Sequence, residues 1–260
     1  MKKIFLVILL LCFILCGCGK KEPKPDVLSN IYKRDKIIVG VRTDAAPFGY
    51  KDKKGNLVGF DIDLAKYIAK SLLGSETKVE FVPVTASNRI MKLASGEVDM
   101  LAAAMSITDN RRQILNFSIP YYIAGQAIMV NSDSKATSLS DFENKKLIIV
   151  FGSTSERNLR SNVPGISVLG FRGYDEAYNA LKARQADGMI ADDSILLRYT
   201  INDKSVRLLK KRYSKEPYAV VLRKEAESER LLQQVDYIMN HLKKTGKLDK
   251  MLEQWQITGE

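Results

Sequence analysis

Ile37-Ile38-Val39-Gly40-Val41, followed after a loop by Phe60-Asp61-Ile62-Asp63-Leu64-Ala65-Lys66-Tyr67-Ile68-Ala69-Lys70-Ser71-Leu72-Leu73, sets a pattern that the rest of the chain repeats. The first run is short and β-branched, which predicts a buried strand. The second run places its apolar side chains on one face of a helix, at Leu64, Tyr67, Ile68 and Leu72, and Gly74 is expected to end that helix. A strand followed by a helix is the unit of a parallel α/β sheet.

The same alternation of strand and helix continues to the C-terminus in two series. Strands are predicted at 79–84, 98–104, 147–151, 188–191 and 218–222, and helices at 174–184, 227–243 and 248–255. Such alternation favours parallel sheets that are covered by helices. Because the pattern starts again near residue 129, we expect a chain of 260 residues to form two α/β lobes.

Composition excludes several classes of function. Hydrophobic residues make up 45% and charged residues 27%, as in soluble globular proteins and unlike disordered ones. The net charge is +11, but basic and acidic residues are interspersed, so we expect a basic surface and no nucleic-acid partner. All three cysteines lie in the first 18 residues and His241 is the single histidine. This argues against a zinc site and against a histidine-activated nucleophile, and no metal, other cofactor or catalytic residue is predicted.

The N-terminus has the organisation of a secretory signal. Two lysines precede twelve apolar residues over 4–15, too few to span a bilayer, which takes about 20. The next residues, Leu15-Cys16-Gly17-Cys18, resemble a bacterial lipobox, in which the cysteine after a small residue is lipidated. We expect removal of residues 1–17, lipid on Cys18, a flexible tether over 18–35 and an extracytoplasmic protein anchored to the cell membrane. The alternative is an ordinary cleaved signal with incidental cysteines.

Candidate binding residues follow the predicted strands, where open α/β sheets bind ligands. Arg111 can hold a carboxylate through two parallel hydrogen bonds, and Asp192 can pair with an ammonium. Thr154 lies at the start of a predicted helix, where Ser153 and Glu156 have the spacing of a capping box and free N–H groups attract anions. A guanidinium, a helix N-terminus and a carboxylate together are what a zwitterionic α-amino acid requires.

Ordered motifs over about residues 36–256 carry a resemblance to a known family. They are Gly59-Phe60-Asp61-Ile62-Asp63-Leu64, Asn88-Arg89-Ile90, Ser95-Gly96-Glu97-Val98-Asp99, Ile107-Thr108-Asp109-Asn110-Arg111-Arg112 and Asn116-Phe117-Ser118-Ile119-Pro120-Tyr121-Tyr122. The set resembles the polar-amino-acid family of bacterial solute-binding proteins, which feed ABC importers. The resemblance implies a two-lobed periplasmic-binding-protein-like fold, with lobe one at 36–127 plus 222–260 and lobe two at 128–221. Two hinge strands, 127–130 and 218–221, would join the two α/β sheets.

The resemblance also implies how the ligand backbone is held. Arg111 would grip the α-carboxylate, helped by Ser106 and by Thr154 at the start of the lobe-two helix. Asp192 and the Ala104 carbonyl would take the α-ammonium. These five residues come from the loops at the carboxyl ends of the predicted strands.

Other residues would meet the side chain of the ligand. Phe48 is expected to form an aromatic wall, with Tyr50 as the alternative. In aspartate and glutamate binders an arginine at the position of Arg89 meets the side-chain carboxylate, and Arg42 could add charge. The resemblance therefore favours an acidic amino acid, glutamate or aspartate. Glutamine, cystine or another polar amino acid is the alternative.

The resemblance further implies the partners of the protein. A monomer would capture its small-molecule ligand and deliver it to an ABC permease that is driven by an ATPase. The rival reading is a dehydratase-like enzyme on the same fold, for which Asp44 or Asp192 would supply an acid or a base. An anionic wall is equally a binding feature, so we expect a binding protein rather than an enzyme.

Overall fold

The computed structural model describes residues 26–163 and 165–257 and arranges them in two lobes, each built on a five-stranded sheet. Its helices are α1 (Val27–Arg34), α2 (Phe60–Leu73), α3 (Arg89–Ala94), α4 (Asp109–Arg112), α5 (Ser155–Asn162), α6 (Tyr174–Lys182), α7 (Asp193–Asn202), α8 (Glu229–Lys244) and α9 (Lys247–Gln254). Its strands are β1 (Ile37–Val41), β2 (Asp44–Ala45), β3 (Gly49–Lys51), β4 (Leu57–Val58), β5 (Val79–Pro83), β6 (Met100–Ala102), β7 (Leu115–Phe117), β8 (Tyr122–Ala124), β9 (Gln126–Asn131), β10 (Lys146–Val150), β11 (Ser167–Phe171), β12 (Gly188–Asp192), β13 (Val206–Leu208), β14 (Glu216–Tyr218) and β15 (Val221–Arg223).

Lobe one contains the sheet of order β5-β1-β6-β15-β7. Strand β1 pairs in parallel with β5 and β6, whereas β15, from the C-terminal part of the chain, runs antiparallel to β6 and β7. Helix α2 packs on β1 and β6, and α8 packs on α2. Buried residues such as Phe60, Ile68 and Val235 join these helices and β1 in one hydrophobic core.

Lobe two contains the sheet of order β11-β10-β12-β9-β13. Strand β10 pairs in parallel with β11 and β12, and β9 runs antiparallel to β12 and β13. Two separate apolar clusters cover this sheet, one with Leu181 and Leu196 from α6 and α7, the other with Leu159 from α5. The predicted fold class, two α/β sheets in two lobes, is confirmed.

The chain crosses between the lobes at two short strands. Strands β8 and β14 form an antiparallel pair between the two sheets. The hinge strands predicted at 127–130 and 218–221 are displaced from this crossing. Residues 127–130 lie inside the lobe-two sheet, which begins at Gln126 rather than at 128, and Val221 already pairs with lobe one. The apolar pattern of these segments reflects burial within a sheet, which looks the same in sequence as a crossing strand.

The N-terminal end of the described chain is part of lobe one. The tether predicted over 18–35 is wrong for its second half, because Val27–Arg34 is a helix. Asp26 caps it by accepting a hydrogen bond from the main-chain nitrogen of Ser29 at 2.9 Å, and Val27, Leu28 and Ile31 pack into the lobe-one core. Apolar residues at helical spacing behind an N-cap favour a docked helix over a free linker.

The predicted signal peptide, 1–17, and the predicted lipidation site, Cys18, lie outside the described residues. Among the helices over 26–163 and 165–257, none combines the length and apolar character that crossing a membrane requires.

Two predicted helix boundaries have different outcomes. Gly74 ends α2 in the left-handed conformation with φ of 81°, as expected for a C-cap glycine. The capping box predicted at Ser153 and Glu156 is wrong, since Thr154 occupies the N-cap position of α5. The Ser153 hydroxyl instead donates to the Val150 carbonyl at 2.6 Å, and Glu156 pairs with an arginine one turn further along α5.

Candidate ligand-binding cleft

Loops that follow β1, β6, β10 and β12 meet between the two lobes. Arg111 of lobe one donates from Nη2 to the Gly152 carbonyl of lobe two at 3.0 Å. Gly152 has φ of +80°, and a Cβ atom at this position would lie 2.3 Å from the carbonyl oxygen of Ala86 in lobe one. The lobes are therefore closed on each other at this cleft.

Arg111 reaches the cleft from the short helix α4. Thr108 caps that helix by accepting from the Arg111 main-chain nitrogen at 3.3 Å, which fixes the direction of the helix. The guanidinium donates to the Ser106 carbonyl at 2.8 Å. Burial lowers the pKa of Arg111, while the nearby carboxylates of Glu216 and Asp192 act in the opposite direction. The guanidinium thus stands close to two acids without forming an ion pair with either of them in the described part of the chain.

Arg89 and Ala104 form the floor of the cleft in lobe one. Arg89 begins α3 with 3% of its surface exposed, and Nη1 donates to the carbonyls of Ala103 at 2.6 Å and Ala104 at 3.3 Å. Its Nε is buried and lacks a hydrogen-bond partner. Burial, reinforced by the charges of Arg111 and Arg42, lowers the pKa of Arg89 to about 9. A buried guanidinium with an unmet donor beside two other cations is a place where an acceptor from a ligand would be stabilised.

Asp61 holds the main chain of Ala104 in place. It lies on the first turn of α2 with no exposed surface, and its Oδ2 accepts from the Ala104 main-chain nitrogen at 2.8 Å. Ala104 has φ of 44°, a conformation that non-glycine residues adopt only where their surroundings hold them. Burial raises the pKa of Asp61 to about 6, although the Tyr121 hydroxyl and the Ala104 N–H favour the charged form. Asp61 therefore holds the end of β6 in the shape that directs the Ala104 carbonyl.

Asp192 ends β12 on the lobe-two side of the cleft. Its side chain accepts a hydrogen bond from the Tyr218 hydroxyl, whereas its Oδ1 is buried and lacks a hydrogen-bond partner. Burial, reinforced by the charge of Glu216, raises the pKa of Asp192 to about 7. A cationic donor placed at Oδ1 would satisfy this atom and favour the ionised carboxylate.

Thr154 is tied to the hinge. Its hydroxyl donates to Glu216 Oε2 at 3.0 Å and accepts from the Gln126 amide at 2.7 Å. Glu216 lies on β14 and Gln126 at the start of β9, just after β8, so the two chain crossings meet at this hydroxyl. Asn158 of α5 donates to both of these side chains, at 3.2 and 3.1 Å. The network fixes the N-terminus of α5 against the hinge.

Phe48 is fully buried in the aromatic core of lobe one. Its ring centroid lies 5.1 Å from that of Tyr218, 5.6 Å from Tyr122 and 6.2 Å from Phe60. Tyr50, the alternative for an aromatic wall, makes an edge contact with Trp255 at 6.3 Å. Both rings thus pack against other side chains of the protein, whereas Arg89 Nε and Asp192 Oδ1 lack hydrogen-bond partners.

Arg42 and Asp44 follow β1 and contact lobe two. Asp44 Oδ1 lies 2.8 Å from Nε and 2.6 Å from Nη2 of Arg42, which is 1% exposed. The guanidinium also lies over the Tyr174 ring, 5.1 Å from its centroid. Although burial opposes it, the pKa of Arg42 is raised by Asp44 and Tyr174. Ala45 is fully buried in the core of lobe two, so this loop reaches across the cleft.

Residues 37–258 match the model of the bacterial extracellular solute-binding proteins, family 3. The chain belongs to this family. The resemblance to the polar-amino-acid family of solute-binding proteins is thereby confirmed, and the description of its members as extracellular agrees with an extracytoplasmic location.

Individual relatives of this solute-binding protein are similar over most of their length. It is 37% identical to the ABC transporter glutamine-binding protein GlnH of Bacillus subtilis, over 98% of this chain and 97% of that one. It is 40% identical to the glutamine-binding protein of Geobacillus stearothermophilus, over 78% of each chain. Among solved structures, the ancestral amino acid-binding protein AncCDT-1, a precursor of cyclohexadienyl dehydratase, superposes with a TM-score of 0.80 at 36% identity and covers 88% of this chain and 98% of its own.

The solute-binding fold brings most of the predicted site residues together. Those that meet at the cleft are Arg89, Ala104, Ser106, Arg111, Thr154 and Asp192. Phe48 is buried in the lobe-one core, where its ring packs against Tyr218, the residue whose hydroxyl donates to Asp192. The part that each residue plays in binding stays a prediction.

Three polar residues that organise the cleft have no role that the sequence alone predicts. Asp61 lies in the Gly59–Leu64 motif, Gln126 follows the crossing strand β8, and Glu216 begins the crossing strand β14. For Asp61 and Gln126 the available signal was a polar group among apolar residues, because such groups are buried only when they are hydrogen-bonded, whereas Glu216 follows Ser214 and Lys215 and carried no such signal.

Proposed function

We propose that this chain is the substrate-binding protein of an ABC importer and captures a polar amino acid between its two lobes. The observation that carries the proposal is that Arg111 from lobe one and Asp192 from lobe two lie close enough at the cleft for each charge to shift the pKa of the other. Asp192 is buried and its Oδ1 atom lacks a partner, whereas Arg111 is half-buried and donates to two main-chain carbonyls. A zwitterion offers an α-carboxylate to the guanidinium and an α-ammonium to the unpartnered carboxylate oxygen of Asp192.

The N-terminus of α5 adds a second grip on the α-carboxylate. Ser155 begins this helix with 1% of its surface exposed, and its hydroxyl lacks a hydrogen-bond partner. Because the Thr154 hydroxyl is already engaged by Glu216 and Gln126, we assign Thr154 the placement of this helix end rather than a hydroxyl contact. The free N–H groups of the first turn attract the carboxylate.

We further propose that glutamine is the preferred ligand. In the described part of the chain, four guanidiniums and five carboxylates interact at the cleft, namely Arg42, Arg89, Arg111 and Arg157 with Asp44, Asp61, Asp192, Asp193 and Glu216. A neutral side chain leaves this near balance of charge unchanged, whereas a side-chain carboxylate adds to the acids. The similarity to two proteins named for glutamine binding supports the same ligand.

The acidic amino acid that the sequence favours is the second candidate. Its support is the unmet Nε donor of Arg89, whose pKa is lowered in part by two neighbouring guanidiniums. A side-chain carboxylate of glutamate or aspartate at this place would relieve that repulsion. The two candidates therefore differ in the charge of the ligand side chain. Glutamine would leave the charge of the cleft unchanged, whereas glutamate or aspartate would place a carboxylate beside Arg89.

Calorimetric titration tests the proposal. The purified protein is unfolded and refolded to remove bound ligand and then titrated with glutamine, glutamate, aspartate and cystine. Tightest binding of glutamine supports the preferred assignment, and tightest binding of glutamate or aspartate supports the second candidate. A protein that binds no amino acid would contradict both and would direct attention to small carboxylic acids, the dehydratase reading included.

Anchoring and delivery complete the proposal. We infer that lipid on Cys18 holds the protein at the membrane, where it passes the ligand to a permease and its ATPase as a monomer. Replacing this cysteine by serine should release the protein into the soluble fraction of cells without changing its ligand affinity. A Cys18→Ser protein that stays in the membrane fraction would contradict the anchor.

A further inference from the structure

We propose that the corner formed by the end of α8 and the start of α9 docks on anionic lipid headgroups and so orients the anchored protein on its membrane. This basic corner of lobe one consists of five exposed side chains: Tyr237, Lys243, Lys244, Lys247 and Lys250. The inference goes beyond ligand capture, and it rests on the proposed lipid at Cys18 only for the nearness of a membrane.

The lysines of the basic corner carry charge that lobe one does not neutralise. Among the described residues, none of the four forms an ion pair with a carboxylate. The pKa of Glu76 is lowered mainly by Lys70, its partner at 2.8 Å, and only in small part by Lys247. Asp249 is the single acid in the segment 237–250. The corner therefore keeps a net positive charge that attracts an anionic surface.

Helix stability explains only half of these charges. Lys243 and Lys244 lie in the last turn of α8, where the helix dipole favours cations. Lys247 and Lys250 lie in the first turn of α9, where the dipole disfavours them. Attraction to an anionic partner would offset this cost.

Tyrosine rings accompany the lysines. Tyr237 is 71% exposed, and Lys247 Nζ lies 4.3 Å from the centroid of the Tyr67 ring. A groove of about 120 Å³ between α2 and α8 is lined by Tyr67, Ser71, Gln234, Tyr237, Ile238 and His241. Tyrosine is enriched at the level of lipid headgroups, where the ring meets apolar groups and the hydroxyl meets water. A bilayer with anionic headgroups thus matches both the rings and the lysines of this surface.

The chain between the proposed lipid and lobe one is long enough for this contact. Arg230, near the start of α8, donates to Asp26 at 3.1 Å, which places the described N-terminal end beside that helix. From Arg230 to Lys244 the helix rises about 21 Å. The chain from Cys18 to Asp26 spans at most about 29 Å. Lipid in a membrane and the basic corner on its surface are therefore geometrically compatible.

Vesicle binding tests the proposal with the chain from residue 19 onward, which carries no lipid. Both sheets and their hydrophobic cores lie within residues 26–257, so this chain keeps the two lobes whole. At low salt it should sediment with vesicles of phosphatidylglycerol and phosphatidylcholine and stay in solution with phosphatidylcholine alone. No binding to the anionic vesicles would overturn the proposal and would favour an acidic protein surface as the partner of the lysines.

A triple variant locates the binding surface. Lys243→Gln, Lys244→Gln and Lys247→Gln combined should weaken binding to the anionic vesicles by at least about tenfold. The reason is that each basic residue close to such a surface contributes roughly fivefold.

The matched control removes three exposed lysines of lobe two, which form no ion pair with another described residue. They are replaced as Lys210→Gln, Lys211→Gln and Lys215→Gln. Because the control has the same net charge as the first variant, its binding should stay within about threefold of that of the unaltered chain. Equal losses in the two triple variants would assign the binding to net charge and overturn the proposal.

A tryptophan at Tyr237 shows whether the groove meets the lipid. The fluorescence of Tyr237→Trp, compared with that of the unaltered chain, should shift to shorter wavelength with anionic vesicles because the ring leaves water. Ile201→Trp is the control on α7 of lobe two, where Ile201 is 60% exposed, and its fluorescence should not shift. An unshifted Tyr237→Trp chain that is bound to vesicles would overturn the proposed orientation.

Salt separates this surface from the lipid anchor. At about 1 M salt the chain from residue 19 onward should leave the vesicles, since charges are then screened within about 3 Å. Binding that persists there would overturn the electrostatic contact. Ligand capture is tested by calorimetry, and the anchor by Cys18→Ser in salt-washed membranes. Either can therefore stand if vesicle binding fails, and vesicle binding can stand if either fails.

Discussion

Arg111 and Asp192 approach the same cleft from different lobes, and simple local structures place each of them. Arg111 is carried by a single helical turn that Thr108 caps, and Asp192 ends a strand that is buried along its whole length. Asp192 is buried and Arg111 is half-buried, and partial removal from water strengthens any contact that they make with a charged ligand. The energy of ligand binding is therefore expected to depend strongly on these two residues.

Replacing Arg111 by alanine should weaken amino-acid binding by at least about a hundredfold, because a buried charged group of the ligand would lose its partner. Arg112→Ala is the matched control, since the next residue of the same helix is exposed and lies over the Phe117 ring at 5.9 Å. Calorimetric titration of both variants measures the effect. Near-normal affinity in Arg111→Ala would contradict the assignment of the α-carboxylate site.

Ligand affinity should fall as the pH drops below about 7. Burial, reinforced by the charge of Glu216, raises the pKa of Asp192 to about 7 in the ligand-free protein. The ammonium contact requires the ionised carboxylate, so below this pKa a proton must leave Asp192 before the ligand binds. Each further pH unit then weakens binding by about tenfold.

Titrations from about pH 8 down to about pH 6 isolate this effect, since Asp61 has a pKa raised only to about 6. Asp192→Asn is the control and should bind weakly with a flat profile. An affinity in the unaltered protein that stays constant or rises as the pH falls would argue against the ammonium contact.

At the scale of elements, α5 is positioned by the two chain crossings. The Thr154 hydroxyl accepts from Gln126 and donates to Glu216, and Ser214 adds a donor to Glu216 at 2.8 Å. Each polar group of this buried network has a partner, which makes such a network rigid. The helix end that faces the ligand is therefore coupled to the segment about which the lobes move.

Thr154→Val should destabilise the protein by about 1–3 kcal/mol, because Gln126 and Glu216 would each lose a buried hydrogen bond. Ligand affinity should fall as well, since the N-terminus of α5 would be less firmly held. Thr200→Val in α7 is the matched control, where the hydroxyl donates to the Leu197 carbonyl and the expected change stays below about 0.5 kcal/mol. Urea unfolding measures both variants, and equal stabilities would show that the network contributes little.

At the scale of the whole molecule, the ligand has to stabilise the closed arrangement of the lobes. A ligand shifts such an equilibrium only by its difference in affinity for the two states. The contacts of Arg111 with Gly152 and of Asp44 with Tyr174 join the lobes directly around the cleft. Ligand binding therefore requires the main chains of the two lobes to approach each other closely around the cleft.

Gly152→Ala should weaken ligand binding by at least about tenfold, because the new Cβ would meet the Ala86 carbonyl oxygen at 2.3 Å when the lobes close. Gly55→Ala is the matched control, with φ of +83° and no atom within 4 Å of the added Cβ. It shares the backbone strain of Gly152→Ala, where φ is +80°, but not the clash. Calorimetry compares the two, and similar affinities would mean that closure tolerates the extra atom.

The amino-acid sequence by itself determined the two α/β lobes, the end of α2 at Gly74 and the location of Arg111 and Asp192, because strand and helix periods and short motifs are local properties. Only the tertiary structure decided how the Thr154 hydroxyl is used, since its partners lie 28 and 62 positions away in the chain. It likewise decided that Phe48 packs in the core. The contact of Asp44 with α6 spans 130 positions and exists because the lobes close, and no local pattern records where a distant lobe comes to rest.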